Sequence, residues 1–235
     1  MKKLYHRRSP INNHVSSVRL IHHPDYLVLL PAERCRVLSS AVLNGGLQEA
    51  SALLNMRVDK HSPLPCLAPE QTLLDKAEAL ALPAVTIGMM TAASMQSLGH
   101  HIEHRETLTV ECWVTSGLSN VRRVGDKADD HAVPGTINIC LYINQALSDA
   151  ALAEALILLT ESKVTAIRDA EIISPVSGLP ASGTGTDSHA VFCPEAEPQH
   201  AYCGKHTTLG ELIGRVVLQA CTISLNHSLR SLTES

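Results

Sequence analysis

The spacing of hydrophobic and polar positions changes several times along the chain, which predicts a mixture of strands and helices. Short apolar runs rich in β-branched residues predict strands at 26–31, 34–44, 84–92, 108–115, 136–143 and 189–194. Helical spacing predicts helices at 69–82, 94–104, 148–169 and 208–229, with a shorter one at 47–55. The first two strands are expected to pair as a hairpin, because only the short segment 31–33 joins their apolar runs.

These elements do not alternate strictly between strand and helix, and this order decides the fold class. We expect a single α+β domain, with a mixed, largely antiparallel sheet and helices packed on it. A doubly wound α/β sheet is the alternative, which is disfavoured because no glycine-rich dinucleotide-binding motif follows the first strand. Residues 1–24 are expected to form an irregular N-terminal arm, and 25–235 the domain.

Composition narrows the function classes. The chain of 235 residues is 45% hydrophobic with a net charge of −4, so it can bury a sizeable core. Only 3% of residues are aromatic and no long basic run occurs, which disfavours a nucleic-acid partner. No apolar run reaches the roughly 18 residues needed to span a bilayer, and no signal-peptide pattern is present. We therefore expect a cytoplasmic protein without a membrane partner.

Cysteine and histidine spacing gives no metal motif. The seven cysteines form no Cys-x-x-Cys pair, and their positions in apolar runs predict reduced core residues. His100 and His104 are four residues apart but lack the glutamate of a zinc-protease helix. We therefore expect no protein-bound metal.

Two glycine-containing motifs carry polar groups suited to catalysis. The first, Gly183-Thr184-Gly185-Thr186-Asp187, combines backbone N–H groups that can approach a ligand with two hydroxyls and a carboxylate. The second, Gly204-Lys205-His206-Thr207, precedes a predicted helix whose dipole favours a neutral imidazole. We expect them to be two walls of one active site. A capped turn and a surface histidine are the structural alternatives.

Two further regions carry candidate groups. Lys163 lies on the apolar stripe of the predicted helix 148–169, where it either pairs with a buried acid or points into a site. Glu161 falls on the opposite, solvated face of the same helix. The polar segment 116–134 holds Asn120, Arg122 and Arg123, which are suited to an amide-rich or anionic ligand or to a solvated loop.

The order of six short motifs resembles the adenosylcobinamide amidohydrolase (CbiZ) family. They are SSAVLNGG at 39–46, TSGLSN at 115–120, GTINI at 135–139, TESK at 160–163, GTGTD at 183–187 and GKHTTLGE at 204–211. Two small departures occur, Ser182 where the family has threonine and Ser162 where it has alanine. The resemblance spans about 26–220 and implies an enzyme of corrinoid salvage.

The resemblance implies hydrolysis of the amide that joins aminopropanol to the corrin ring, which gives adenosylcobyric acid. Cobalt would arrive within the corrinoid substrate, so no separate cofactor is implied. The catalytic set would be Asp187, His206, Lys163, Thr184 and Thr186. The substrate-binding set would be Asn44, Gly45, Gly46, Asn120, Arg122, Arg123, Glu161, Gly183, Gly185 and Thr207. The family motif implies that Glu161 faces the site, whereas the helical spacing places it on the solvated face.

Two mechanisms and three functions stay open at this point. Either Asp187 or His206 activates water, or a hydroxyl of Thr184, Thr186 or Ser182 is the nucleophile. Besides the amidohydrolase, the chain could be a non-catalytic corrinoid carrier or sensor, or an amidase for another substrate. A homo-oligomer is possible.

Overall fold

The computed structural model describes residues 16–59, 68–130, 135–197 and 199–233. Its helices are α1 (Pro69–Ala79), α2 (Asp149–Asp169) and α3 (Thr208–Thr233), with single 3-10 turns at Met95–Ser97 and Leu118–Asn120. Its strands are β1 (Val18–His23), β2 (Tyr26–Pro31), β3 (Cys35–Ser39), β4 (Gly46–Ala50), β5 (Ala52–Arg57), β6 (Thr86–Thr91), β7 (Gly99–Arg105), β8 (Leu108–Ser116), β9 (Val121–Arg122), β10 (Ile137–Ile143), β11 (Gly183–Thr184) and β12 (Ser188–Pro194).

The strands form two stacked sheets and one small pair. The outer sheet has the order β1-β2-β5-β6, and the central sheet has the order β4-β3-β12-β10-β8-β7. The β10–β12 and β5–β6 pairings are parallel, and the other pairings among the described strands are antiparallel. The α+β prediction is confirmed, and the doubly wound alternative is wrong. The predicted single sheet is in fact two.

Alternating side chains on the central strands build the layers. Along β10, Ile139 and Leu141 pack towards α2 and α3, whereas Cys140 and Tyr142 face the outer sheet. A third apolar cluster joins the far side of the outer sheet to α1. The order of layers is therefore α1, outer sheet, central sheet, then α2 with α3.

Four local predictions were wrong, each because a long-range pairing overrides the local pattern. The arm is not irregular throughout, because residues 18–23 pair along all of β2. Residues 47–55 are strands, with 52–56 buried between β2 and β6. Residues 94–104 give one 3-10 turn and then β7, which pairs with β8. β2 and β3 do not form a hairpin, since they lie in different sheets.

Both long helices run from one end of the central sheet to the other. We call the end where β8 finishes and β10 and β12 begin the upper end. Glu211 in the first turn of α3 pairs with Arg105 at the lower end, with an N–O distance of 2.6 Å. Later in α3, Ser224 and Ser228 contact the hydroxyl of Ser116 at the upper end, each at 2.8 Å.

The apolar composition of α3 follows from this packing. By length and composition, residues 208–231 satisfy the criteria for a membrane-spanning helix among the described helices. However, 56% of the most apolar window is buried inside the protein. Contacts with α2, β7 and β8 therefore account for its hydrophobicity.

Candidate active site

A buried ion pair lies at the upper end of the central sheet. The Lys163 Nζ of α2 lies 2.5 Å from Asp187 Oδ2, and the two side chains are only 7% and 9% exposed. The Thr184 hydroxyl donates to Asp187 Oδ1 at 2.5 Å, and the Ile137 N–H donates to the same oxygen at 3.0 Å. Thr184 N–H adds a bond of 3.2 Å to each carboxylate oxygen. The charge pair thereby fixes the start of β10 and the loop before β12.

Glycines at 183 and 185 are required by close packing around this pair. A Cβ on Gly183 would lie 2.2 Å from Asp187 Oδ2 and 3.0 Å from Lys163 Nζ. A Cβ on Gly185 would lie 2.6 Å from Asn120 Nδ2, while the Gly185 N–H donates to the Asn120 carbonyl at 3.0 Å. The glycines let the 183–187 loop close directly over the ion pair and Asn120.

A second polar contact lies beside the ion pair and involves a threonine that the sequence prediction missed. The hydroxyls of Thr136 and Thr186 are 2.8 Å apart. Thr186 also donates to the carbonyl oxygen of Gly135 at 3.0 Å. Thr186 is exposed, whereas Thr136 is 5% exposed. The signal for Thr136 was its place in the GTINI motif, directly before a buried strand.

Further inside, a row of buried polar side chains crosses the gap between the two sheets. Asn138 Nδ2 donates to Asn55 Oδ1 at 2.8 Å and to the Met90 carbonyl at 2.9 Å, and Asn55 donates to Thr115 at 2.8 Å. Asn138 Oδ1 and the hydroxyl of its neighbour Ser188 have no partner among the described residues. Buried polar atoms without partners are costly, so they indicate a place for a ligand group or water. In the sequence, the feature that could have identified this row was Asn138, a polar residue inside an otherwise apolar predicted strand.

His189 lies next to the ion pair on the helix-facing side of β12. The pKa of His189 is lowered to about 4, mainly by burial and also by the nearby Lys163 cation, while the Asp187 carboxylate acts in the opposite direction. Its Nε2 has no partner among the described residues. The imidazole is therefore neutral at neutral pH, and the sequence prediction did not single it out.

A cleft of about 930 Å³ opens beside this cluster, between the upper ends of the sheets and the end of α3. Its walls carry six serine hydroxyls together with charged side chains of both signs. They include Asp25, Arg57, Ser94, Gln96, Ser116, Ser119, Ser228 and Ser231. Ser119 also lies against Gly135, where a Cβ would approach its hydroxyl to 2.4 Å. The cleft thus adjoins the peptide bond between Gly135 and Thr136.

The structure does not bring the 204–207 motif to this cluster. Glu154 of α2 accepts a hydrogen bond of 2.7 Å from Cys203 N–H, and Lys205 pairs with Glu161 at 2.5 Å on the exposed side of α2. The motif directly precedes the lower end of α3, whereas Asp187 lies at the upper end. Glu154, which contacts Cys203 directly before the motif, lies nine residues before Lys163 on α2, or about 14 Å at a helical rise of about 1.5 Å per residue.

Within one chain, the expected two-wall site formed by these motifs is therefore wrong. His206 is exposed, and Thr207 caps the start of α3 by accepting a hydrogen bond of 3.0 Å from Gly210 N–H. Glu161 lies on the solvated face, as its helical spacing indicated. Sequence order carried no information on the distance between the motifs.

Three further substrate-binding candidates lie at the turn between β3 and β4. Asn44 has a φ of 55°, and its side chain donates to the Thr86 carbonyl at 2.8 Å. A Cβ on Gly45 would lie 2.4 Å from the Ala41 carbonyl oxygen, and Gly46 has a φ of 85°. These residues therefore shape the turn before β4.

The two arginines tie the polar loop to its neighbours. Arg122 donates to Asn120 Oδ1 at 3.3 Å and to Asp129 at 2.6 Å. Arg123 donates to the Pro180 carbonyl at 2.8 Å. Both guanidinium groups thus have protein partners, which hold Asn120 beside the 183–187 loop.

The candidate metal and thiol groups are engaged elsewhere. Across the described residues, no cluster of three or more histidine, cysteine or acidic side chains is placed to hold a metal ion. His100 contacts Glu111 at 2.7 Å, and His104 contacts Thr109 at 2.9 Å. Six of the cysteines are free and buried, and Cys66 lies outside the described residues.

Solved structures with some likeness to this fold include two aminopeptidases. A Burkholderia sp. beta-aminopeptidase gives a TM-score of 0.47 at 10% identity, covering 92% of this chain and 84% of that one. The L-aminopeptidase D-Ala-esterase/amidase from Ochrobactrum anthropi gives a TM-score of 0.44 at 9% identity, covering 90% and 83%.

Sequence comparison gives the family. An uncharacterized protein of Methanocaldococcus jannaschii is 33% identical over 55% of this chain and 58% of its own length. An adenosylcobinamide amidohydrolase of Methanosarcina mazei is 27% identical over 79% of this chain and 88% of its own length. The family model for adenosylcobinamide amidohydrolase matches residues 11–231. The resemblance seen in the six motifs is confirmed: the chain belongs to the adenosylcobinamide amidohydrolase (CbiZ) family and is a hydrolase acting on an amide bond.

Proposed function

We propose that this chain hydrolyses the amide that links aminopropanol to the corrin ring of adenosylcobinamide. The products are adenosylcobyric acid and aminopropanol, and the cobalt belongs to the substrate. The match of the family model over 11–231 is the observation that carries this proposal. The Methanosarcina mazei relative, named for this activity and matched over 88% of its length, supports it.

The cleft beside the upper end suits such a substrate. Its volume of about 930 Å³ lies at the large end of ligand pockets, and a corrinoid is a large ligand. The rim of a corrin ring carries neutral amide groups, which need both donors and acceptors. The serine hydroxyls and the Gln96 amide in the cleft offer both. We place the corrin ring in this cleft, with the scissile amide directed towards Thr186.

The buried ion pair supports the site rather than serving as its base. Lys163, Thr184 and the Ile137 N–H all donate to the Asp187 carboxylate. A water molecule would have to displace one of these donors before the carboxylate could take its proton. We therefore propose that Asp187 and Lys163 position the loop and strand that carry the reacting groups.

Among the three hydroxyls expected from the sequence, Thr186 is the best placed for chemistry. The Thr184 hydroxyl is held by Asp187, and Ser182 accepts a hydrogen bond of 2.7 Å from Val124 N–H. Thr186 is exposed, and its hydroxyl donates to a backbone carbonyl. We propose that it donates in the same way to the oxyanion that forms when the substrate amide is attacked.

The unpartnered side-chain oxygen of Asn138, further inside, is suited to bind the N–H of the scissile amide. Asn138 Oδ1 is two residues along β10 from Thr136, which is about 7 Å at a strand rise of about 3.3 Å per residue. It has an unused lone pair and faces the gap between the sheets. We propose that it accepts a hydrogen bond from the N–H of the scissile amide. This contact orients the leaving nitrogen.

Purified protein incubated with adenosylcobinamide tests the proposal. We expect adenosylcobyric acid and aminopropanol, and loss of one oxyanion donor in Thr186→Ala should lower kcat by about 10²–10³. Thr222→Ala is the matched control, because Thr222 is an exposed threonine of α3 whose hydroxyl donates to the Leu218 carbonyl of its own helix at 2.8 Å. It should keep full activity. Tight binding without turnover would indicate a carrier instead, and turnover of other amides alone would indicate another amidase.

A further inference from the structure

We propose that the chain cleaves its own peptide bond between Gly135 and Thr136, and that the freed Thr136 is the nucleophile of the amide hydrolysis. The cleavage is a separate activity from the one proposed above. The assignment of Thr136 as the nucleophile for substrate rests on that proposed function.

The hydrogen bonds around Thr186 arrange the bond for attack. Thr186 has one hydroxyl hydrogen, and it is donated to the Gly135 carbonyl oxygen at 3.0 Å. The Thr136 hydroxyl, 2.8 Å from Thr186, therefore donates its own hydrogen to Thr186. The carbonyl that precedes Thr136 is polarised, while the Thr136 oxygen is turned towards a proton acceptor. Both changes favour attack by the hydroxyl on that carbonyl carbon.

Packing holds both sides of this peptide in place. A Cβ on Gly135 would lie 2.4 Å from the Ser119 hydroxyl and 2.9 Å from Asn120 N, so only glycine fits. On the other side, the Thr136 carbonyl accepts a bond of 2.9 Å from Gly117 N–H. The next N–H, that of Ile137, donates to Asp187 at 3.0 Å. The reacting carbon therefore cannot move far from the hydroxyl.

The proton-accepting group explains why cleavage and catalysis belong together. In the uncut chain, the Thr136 hydroxyl is hydrogen-bonded to the hydroxyl of Thr186, which is a weak base. Cleavage gives Thr136 a free α-amine with a pKa of about 7.7–8.0 in unperturbed peptides. Such an amine, next to its own hydroxyl, is an established activating base for threonine nucleophiles.

The chemistry balances with one water molecule. The Thr136 Oγ forms a bond to the Gly135 carbonyl carbon, and its proton passes through Thr186 to the Thr136 nitrogen. The carbon–nitrogen bond then breaks, which leaves an ester between the two residues. Water hydrolyses that ester to give the Gly135 carboxylate, the Thr136 hydroxyl and the Thr136 amine. The fragment masses therefore sum to the mass of the chain plus one water.

The same groups then act on the substrate. The Thr136 amine takes the proton of its hydroxyl, the oxygen attacks the substrate carbonyl, and Thr186 donates to the oxyanion. Loss of aminopropanol, with a proton returned from the Thr136 ammonium, leaves a corrinoid ester on Thr136. Water releases adenosylcobyric acid.

Intact mass and N-terminal sequencing of the purified full chain test the cleavage. We expect fragments 1–135 and 136–235, the second beginning Thr136-Ile137-Asn138. Thr136→Ala should stay whole, Thr136→Ser should cleave, and Thr186→Ala should cleave at least 10-fold more slowly. Thr222→Ala should cleave like the unaltered chain. Circular dichroism shows whether the whole variants are folded.

The outcomes separate this proposal from the proposed function. A single uncut species of 25.3 kDa that hydrolyses adenosylcobinamide would overturn the cleavage and leave the proposed function standing. Cleaved protein without activity on adenosylcobinamide would overturn the proposed function and leave the cleavage standing. Cleavage of folded Thr136→Ala would also refute the mechanism. A trapped corrinoid ester on the 136–235 fragment would confirm the nucleophile.

Discussion

Substitution of Lys163 by methionine tests whether the buried ion pair holds the site together. The two side chains are 7% and 9% exposed, so the substitution leaves the Asp187 carboxylate buried without its cation. Breaking a buried pair costs about 3–5 kcal/mol. The hydrogen bonds that remain from Thr184 and Ile137 place the expected cost at the lower end, about 3 kcal/mol. For a chain of this size, that lowers Tm by about 6–12 °C.

The exposed pair between Lys205 and Glu161 provides a matched control. Its N–O distance is also 2.5 Å, but its side chains are 71% and 48% exposed. Lys205→Met should therefore change the free energy of unfolding by less than about 1 kcal/mol. Urea unfolding of both variants measures the difference. If Lys163→Met were no less stable than Lys205→Met, the structural role of the buried pair would be refuted.

Three further predictions follow from the described contacts. Gly183→Ala should lower activity by at least about 10-fold, because its Cβ would lie 2.2 Å from Asp187 Oδ2. A Cβ on Gly214 would lie 4.0 Å from its nearest neighbour, the Ser162 hydroxyl, so Gly214→Ala should stabilise the protein by up to about 1 kcal/mol. Comparing kcat and Tm of the two variants checks this, and equal effects would contradict it. His206→Ala should retain kcat within about 3-fold by steady-state assay, because its loop lies at the lower end; a 100-fold loss would contradict this. The pKa of His189 is lowered to about 4, so the unfolded state binds more protons between pH 6.5 and 4. The free energy of unfolding should therefore fall as pH decreases through that window, and it should fall by less in His189→Gln. Urea unfolding at pH 7.5 and pH 5 measures both changes. An equal decrease in the two proteins would contradict the prediction.

Elements with a strong local pattern could be predicted from the sequence, and elements defined by a partner could not. The α2 helix has a capping Ser148 and a continuous apolar stripe, so its position followed from the chain alone. The β7 strand lies at the edge of the central sheet and is mostly polar, so its sequence lacks the alternation of apolar and polar residues that marks a strand. A Cβ on its Gly99 would lie 2.0 Å from the Ala220 carbonyl of α3, which is a contact that local sequence cannot report.

The site shows the same division. The GTGTD and TESK motifs pointed to Asp187 and Lys163, and helical spacing left Lys163 either to pair with a buried acid or to point into a site. Asn138 and Thr136 lie within the GTINI motif but were interpreted as ordinary strand residues. Their role emerged only when the structure placed Thr186 and Asn55 against them. The position of His206 at the far end of α3 depended on the packing direction of that helix.

Turnover of adenosylcobinamide in water enriched in oxygen-18 tests the central claim most directly. Mass spectrometry of the products follows both the bond that breaks and the source of the new oxygen. The account predicts adenosylcobyric acid with one oxygen-18 in its new carboxylate, together with unlabelled aminopropanol. Adenosylcobinamide recovered unchanged after binding, or label found in aminopropanol, would contradict it.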